Sequence, residues 1–215
     1  MSSKLQNFVK FGRTIICVGR NYRAHASELG NPIPSEPFVF LKPVSSYITQ
    51  GQDIKLPLGA SEIHHEVELG VVIGSRCSSV TESNIPDHIG GYFLALDMTD
   101  RNRQKSAQTK GLPWTVAKGF DTACPVSDFV PKDRIPDPQN VDLWLKVNGN
   151  LRQSGNTKLM IFPVKKLISW ISERITLEEG DVILTGTPEG VGPVRSGDII
   201  ECGLGDITKM KYSIK

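Results

Sequence analysis

The stretch HHEVELGVVI, residues 64–73, ends in a largely apolar run whose length is typical of a β-strand. Other short apolar runs recur along the chain, with proline and glycine between them, at residues 38–41, 92–96, 143–147, 182–184 and 199–200. Short runs that are punctuated in this way are typical of strands rather than of helices. We therefore predict a β-rich α+β fold rather than a doubly wound sheet with alternating helices.

One hairpin is predicted from local sequence. Residues 143–147 read LWLKV, and Asn148-Gly149 separates them from residues 150–153. An Asn-Gly pair tolerates the positive φ angles that a tight two-residue turn requires.

Helices are fewer. Pro163 suits a first helical turn, and apolar residues follow it at the i, i+3, i+4, i+7 spacing of a helix that packs one face on a core. These residues are Val164, Leu167, Ile168 and Ile171.

Two further helices have candidate N-caps. Asn21 precedes residues 22–29, and Gly30 would end that helix. Asp100 precedes a second candidate helix, residues 101–109.

The composition is that of an ordinary globular protein. Of 215 residues, 39% are hydrophobic and 22% charged, and 25 basic against 23 acidic side chains give a formal net charge of +2. The basic residues are spread along the chain, so we expect no nucleic-acid partner. Nothing marks an internal boundary, and we predict a short N-terminal arm, residues 1–14, followed by a single domain, residues 15–215.

The cysteines, the apolar runs and the N-terminal residues each indicate the cellular compartment of the protein. The four cysteines lie far apart without zinc-site spacing, which predicts buried, reduced thiols. No apolar run approaches the ~20 residues of a membrane span, so we expect no membrane partner. The first 27 residues contain five Lys or Arg and no acidic residue, a weak likeness to a mitochondrial presequence.

Several common site motifs are missing. The chain has no Gly-x-x-x-x-Gly-Lys-Ser/Thr, no Gly-x-Gly-x-x-Gly and no Gly-x-Ser-x-Gly. Phosphate-loop, dinucleotide and serine-hydrolase functions are therefore not favoured.

Glu66 and Glu68 are two residues apart on the predicted strand and so share one face. If the pair is buried, a divalent cation would relieve its repulsion, and oxygen ligands favour Mg²⁺, Mn²⁺ or Ca²⁺. The alternative is the exposed face of an edge strand, although Val72 continues that face and is apolar. Asp97, at the end of the run 92–96, is a third candidate ligand or else a turn residue.

Other candidates are pairs at helical spacing and one lysine. Arg101 and Gln104, one turn apart, could grip a carboxylate. Lys118 could stabilise a developing enolate. His25 and Glu28 have the spacing of a base and the group that orients it, although each of these patterns also occurs on solvated surfaces.

Taken together, these segments resemble the fumarylacetoacetate hydrolase superfamily from about residue 15 to the end. The matching segments are GRNYRAHASE (19–28), LKP (41–43), HEVELG (65–70), LDMT (96–99), KGFDT (118–122), KVNG (146–149) and LTGTPEGVG (184–192).

The resemblance implies a mixed β-sandwich roll of the superfamily's C-terminal-domain type, assembled as a homodimer. It implies Mg²⁺ or Mn²⁺ on Glu66, Glu68 and Asp97. His25, Glu28 and Lys118 would be catalytic, with the His25–Glu28 helix acting as a lid. The substrate-binding residues would be Arg101, Gln104, Thr187 and Lys42.

The implied activity is that of the short, single-domain members, which act on small 2-oxo acids. A 2-oxo acid would chelate the metal, and a pyruvate-type enolate would form by acylpyruvate hydrolysis, oxaloacetate decarboxylation or oxaloacetate keto–enol tautomerisation. Fumarylacetoacetate is not the expected substrate, because residues 17–21 lack the founding hydrolase's fourth carboxylate. The alternatives are a hydroxymuconate-type isomerase/decarboxylase and a non-catalytic 2-oxo-acid-binding protein. The mitochondrial matrix is favoured over the cytosol.

Overall fold

The structure, a computed structural model, describes residues 3–215 and is dominated by strands. The strands are β1 (Ile15–Val18), β2 (Val39–Lys42), β3 (Tyr47–Ile48), β4 (Ile63–His65), β5 (Val67–Ile73), β6 (Ile89–Leu96), β7 (Thr99–Asp100), β8 (Cys124–Pro125), β9 (Val130–Pro131), β10 (Asp142–Val147), β11 (Asn150–Asn156), β12 (Val182–Leu184), β13 (Gly192–Val194), β14 (Ile199–Leu204) and β15 (Thr208–Ser213).

Short helices connect them. The α-helices are α1 (Ser3–Gln6), α2 (Phe8–Phe11), α3 (Arg23–Glu28), α4 (Ile85–His88), α5 (Arg101–Lys110), α6 (Thr115–Lys118) and α7 (Val164–Ser172). Three 3₁₀ turns span Val44–Ser46, Lys132–Arg134 and Thr157–Leu159.

The central sheet has six strands in the order β2-β1-β12-β5-β6-β9, with β1 and β12 parallel and the other pairs antiparallel. Every residue of β5 is buried, because one face of the strand packs into the main core and the other into a second apolar cluster. Val72 is fully buried on the same face as Glu68. The two glutamates therefore do not lie on an exposed edge face.

A second sheet, β11-β10-β14-β15, contributes its buried side chains to the same main core. The predicted hairpin is confirmed, since β10 and β11 pair antiparallel around Asn148 and Gly149, whose φ angles are 51° and 79°. A three-stranded sheet, β13-β4-β7, completes the roll beside the central sheet. The predicted β-rich α+β sandwich roll is confirmed.

The helix behind Pro163 is confirmed as α7, with its four predicted apolar residues buried. The helix behind Asp100 is also confirmed, because the Asp100 carboxylate accepts from the backbone N–H of Arg103 at 3.1 Å. Asn21 is not an N-cap. Its side chain donates to the carbonyls of Phe162 and Thr185 and accepts from the Phe162 N–H, and α3 begins after Tyr22 instead.

The N-terminal helices pack on the sheet. Phe8 is buried, with its ring 4.6 Å from that of Phe93. The predicted arm, residues 1–14, starts outside the described residues, and the division at residue 15 stays a prediction. All four cysteines are buried free thiols, as expected. Within residues 3–215, no helix is long and apolar enough to cross a bilayer.

Candidate metal and substrate site

Three buried carboxylates meet where β4, β5 and β6 come together. Glu66 lies between β4 and β5, Glu68 lies on β5, and Asp97 directly follows β6. Because Val67 pairs with Leu96, the Asp97 N–H reaches the Glu66 carbonyl at 2.9 Å. One carboxylate oxygen from each residue lies within 4.8 Å of the others, and all three residues are at most 5% exposed.

Two cations from neighbouring helices neutralise part of this charge. The Lys118 ammonium, at the end of α6, lies 3.0 Å from Glu66 Oε2 and 2.6 Å from Asp97 Oδ2. The Arg101 guanidinium, at the start of α5, donates to Glu66 Oε1 at 2.6 Å. Burial alone would raise the pKa of Glu66, but Lys118 and Arg101 together bring it well below its usual range. Burial opposes the charge of Lys118, yet Asp97 and Glu66 raise its pKa, so the ammonium stays protonated.

Of the three carboxylates, Glu68 alone has no cation partner among the ion pairs of residues 3–215. Its Oε2 accepts from the backbone N–H of Gly186 at 2.6 Å. Burial raises the pKa of Glu68 well above its usual range, and the negative charges of Asp97 and Glu66 add to this. A divalent ion would supply the missing positive charge, and the all-oxygen donor set suits Mg²⁺ or Mn²⁺. The residues present therefore fit a metal.

Lys42 occupies a different place from the one expected. Its ammonium lies 2.8 Å from Asp97 Oδ1 and donates to the carbonyls of Met98, Ala123 and Lys118. Lys42 does not line the cavity above the carboxylates. Because its three donors point to partners inside the core, Lys42 orients Asp97 rather than contacting a substrate.

A cavity of about 30 Å³ lies over the carboxylates. Five of the other predicted site residues line it together with Glu66 and Glu68: His25, Arg101, Gln104, Lys118 and Thr187. This volume holds roughly two water molecules, which is less than an organic acid occupies.

His25 and Glu28 both lie on α3, above this cavity. His25 is 5% exposed, and its Nδ1 is 3.5 Å from Glu28 Oε2, longer than a good hydrogen bond. Glu28 also accepts from the Gly190 N–H, at 3.1 and 3.2 Å. Burial lowers the pKa of His25 despite the nearby acids, so the imidazole is neutral at pH 7 and can accept a proton.

Arg101 and Gln104 form the predicted pair one turn apart, with Arg101 Nη1 donating to Gln104 Oε1 at 2.7 Å. The antiparallel pairing of β4 with β7 brings the start of α5 next to Glu66. Thr187 reaches the same cavity from the loop after β12, and its hydroxyl donates to the Val67 carbonyl at 2.8 Å.

Sequence reasoning missed Gln153, a fully buried residue on β11. Its Oε1 accepts from the Val67 N–H at 3.1 Å and lies 2.9 Å from His65 Nδ1. Its Nε2 donates to Thr187 Oγ1 at 2.8 Å and to the Pro188 carbonyl at 2.9 Å. Gln153 therefore ties the backbone that flanks Glu66 to the loop that carries Thr187. A glutamine on a mostly exposed hairpin strand offers no sequence signal for this role.

Comparisons with known proteins identify relatives of this chain. Residues 14–215 match the family model described as fumarylacetoacetate (FAA) hydrolase C-terminal. The chain is 55% identical to a protein of Dictyostelium discoideum named mitochondrial oxaloacetate decarboxylase, covering 98% of this chain and 97% of that protein. It is 51% identical to a Homo sapiens protein named mitochondrial oxaloacetate tautomerase FAHD1, covering 100% and 97%.

A solved structure is also similar. The fumarylpyruvate hydrolase of Pseudomonas aeruginosa, in complex with Mn²⁺ and pyruvate, has a TM-score of 0.90 at 32% identity, covering 94% of this chain and 89% of that one.

We expect Gln153→Leu to weaken Mn²⁺ binding by roughly 10- to 100-fold, because partners of ligand-bearing segments orient the ligands. It should also lower the free energy of unfolding by more than about 2 kcal/mol, since buried backbone groups lose their partners. Mn²⁺ titration followed by electron paramagnetic resonance measures the first effect, and urea unfolding the second.

Gln139→Leu is the matched control for this substitution. Gln139 also bridges a backbone N–H, that of Val164, and a backbone carbonyl, that of Thr157, but does so at the start of α7. It should lower stability and leave Mn²⁺ affinity unchanged. Equal Mn²⁺ affinities for Gln153→Leu and the unsubstituted protein would contradict the positioning role.

Proposed function

The chain belongs to the fumarylacetoacetate hydrolase family, and from this premise we propose that it is a divalent-metal-dependent enzyme of small 2-oxo acids. Its favoured substrate is oxaloacetate, which it tautomerises or decarboxylates, and acylpyruvate hydrolysis is a further activity of the same site. One observation carries the proposal. A neutral imidazole and a guanidinium–amide pair line one cavity together with Glu66 and Glu68, and the Asp97 carboxylate lies directly beside those two.

Glu66, Glu68 and Asp97 would hold the metal, with Mg²⁺ or Mn²⁺ as the ion. Support comes from their burial, their oxygen-only donor set and the missing cation partner of Glu68. The Mn²⁺ of the similar fumarylpyruvate hydrolase structure is consistent with it. When bound there, a divalent cation supplies Lewis acidity that draws electron density from the 2-oxo group.

Arg101, Gln104 and Thr187 would bind the carboxylate next to the keto group. Arg101 and Gln104 already contact each other and so offer donors from one rigid helix turn. Lys118 lies on the opposite side of Glu66 and keeps its positive charge. It would stabilise the negative charge that develops on the keto oxygen as an enolate forms.

His25 would move the proton, held in place by Glu28. In tautomerisation it takes a proton from C3 of oxaloacetate, and the enolate oxygen then accepts a proton. In acylpyruvate hydrolysis it takes a proton from water while the water oxygen adds to the distal carbonyl. The C3–C4 bond then breaks, its electron pair passes to the enolate, and C3 accepts a proton. In decarboxylation the bond from C3 to the distal carboxylate breaks, its electron pair passes to the enolate, and C3 later accepts a proton. A lid role for α3 is supported by the small volume of the cavity and by His25, which lines it from this helix.

We also propose that the protein is a homodimer in the mitochondrial matrix. The mitochondrial names of the relatives support the location. Strand β2 lies at the edge of the central sheet. Its Leu41 and the nearby Leu112 are both half-exposed and line one apolar groove, which a second copy of the chain would cover. Sedimentation equilibrium distinguishes a dimer from a monomer.

We expect the purified protein to turn over keto-oxaloacetate or enol-oxaloacetate faster than acetylpyruvate, and only with Mg²⁺ or Mn²⁺ present. Glu66→Gln and Asp97→Asn should each lower kcat by roughly 100-fold or more and weaken Mn²⁺ binding, because each removes a charged ligand. Steady-state assays and Mn²⁺ titration measure these effects.

Glu201→Gln is the control, because this surface carboxylate pairs with Lys211 away from the site. It should leave turnover unchanged. Metal-dependent turnover that persists in Glu66→Gln or Asp97→Asn would refute the ligand assignment.

The pH dependence follows from His25. Since burial lowers its pKa below the ordinary value of 6.5, the imidazole stays neutral, and kcat/KM should hold steady as pH falls through 6.5. At more acidic pH the base becomes protonated and kcat/KM should fall about tenfold per pH unit. The pH profile of kcat/KM tests this.

His88→Gln, on α4, should leave that profile unchanged, while the residual activity of His25→Gln should lack the acid limb. An identical acid limb in His25→Gln would assign it to another group.

A further inference from the structure

Arg20 lines the cavity and has a backbone conformation that is unusual for its type. Its φ is 54°, in the left-handed region that disfavours residues with a Cβ. Ser79, Thr122 and Asn148 are the other non-glycine residues with positive φ in the described chain, and none of them lines this cavity. Strain of this kind persists where surrounding contacts hold it, and such positions cluster at ligand sites.

The Arg20 guanidinium has no carboxylate partner among the ion pairs of residues 3–215. The other two cations that line the cavity, Arg101 and Lys118, both pair with Glu66. Partial burial lowers the pKa of Arg20, and no neighbouring charge contributes, yet a guanidinium remains protonated at neutral pH. Within residues 3–215 its side chain also donates no hydrogen bond, so the cavity wall holds one positive charge whose donors are available.

Aromatic rings hold this side chain in place. The guanidinium carbon lies 5.5 Å from the centre of the Phe38 ring, a cation–π distance. Phe38 packs directly on Gly19, where a Cβ would lie 2.1 Å from the ring. The Phe38 and Trp114 rings are nearly perpendicular, with their centres 5.7 Å apart. Trp114 lines the same cavity. Arg20 is thus positioned by an apolar contact that leaves its N–H groups available to an anion.

We propose that Arg20 binds the distal carboxylate of the substrate and makes the site selective for dicarboxylic 2-oxo acids. This inference rests on the proposed function, in which the metal, Arg101 and Gln104 bind the 2-oxo-carboxylate end. Oxaloacetate carries a second carboxylate beyond C3, and Arg20 is the unpaired cation available for it. A substrate with an uncharged tail leaves the guanidinium without a partner, and sites built around such a group discriminate strongly against analogues that lack it.

Oxaloacetate and acetylpyruvate form a matched pair for the test, because a methyl group in acetylpyruvate replaces one carboxylate oxygen of oxaloacetate. In Arg20→Gln, we expect kcat/KM for oxaloacetate to fall at least tenfold more than kcat/KM for acetylpyruvate, mainly through KM. Arg20→Lys should give an intermediate ratio, because it keeps the charge and loses the planar fork. Equal changes for the two substrates would refute the assignment.

Arg23→Gln is the matched control, because Arg23 is the exposed first residue of α3 and does not line the cavity. It should leave the ratio of the two kcat/KM values unchanged. If Arg20→Gln does not fold, Arg20→Lys decides the question. It should still lower kcat/KM for oxaloacetate more than kcat/KM for acetylpyruvate, and equal losses would overturn the proposal.

Binding separates this inference from the proposed function. In a His25→Gln background, whose turnover is reduced, Mg²⁺-dependent calorimetric titration compares the binding of the two ligands. Adding Arg20→Gln should weaken oxaloacetate binding at least tenfold more than acetylpyruvate binding. Selective binding with no turnover by the unsubstituted protein would support Arg20 and refute the proposed function. Turnover by the unsubstituted protein, together with equal weakening of the two ligands by Arg20→Gln, would support the proposed function and refute the role of Arg20.

Discussion

The structure depends on keeping three carboxylates out of water next to one another. Ionised carboxylates buried without partners cost several kcal/mol each, so the fold must bring cations to them. It does so from three separate segments, with Lys42 on β2, Lys118 on α6 and Arg101 on α5. The pairing covers Glu66 and Asp97 but leaves Glu68 with a single backbone donor. That imbalance of charge is what a bound divalent ion would remove.

A buried glutamine connects the second sheet to this arrangement by hydrogen bonds. Gln153, on the second sheet, uses both lone-pair directions of its amide oxygen and both amide hydrogens to join the β4–β5 junction to the loop after β12. The same loop donates from Gly186 to Glu68 and from Gly190 to Glu28. A shift of this loop therefore moves a candidate metal ligand and the residue that orients the candidate base together.

Local sequence predicted elements whose causes are local. The Asn148-Gly149 turn, the Asp100 cap and the apolar stripe behind Pro163 each act within a few residues, and each is present. Asn21 was predicted as a cap by the same reasoning, and this was wrong, because its partners, Phe162 and Thr185, are more than 140 residues away. Lys42 was expected to contact substrate. Its ammonium instead lies beside Asp97, because this partner is also distant in sequence.

By itself, the sequence determined the strand-rich class, the shared face of Glu66 and Glu68, and the helical spacing of His25 with Glu28 and of Arg101 with Gln104, since periodicity sets which side chains project together. Only the tertiary structure decided which of these groups share a cavity, and that, among the ion pairs of residues 3–215, the cavity-lining Arg101 and Lys118 are paired and Arg20 is not. Burial and charge pairing are properties of distances across the folded core, and residue spacing along the chain does not contain those distances.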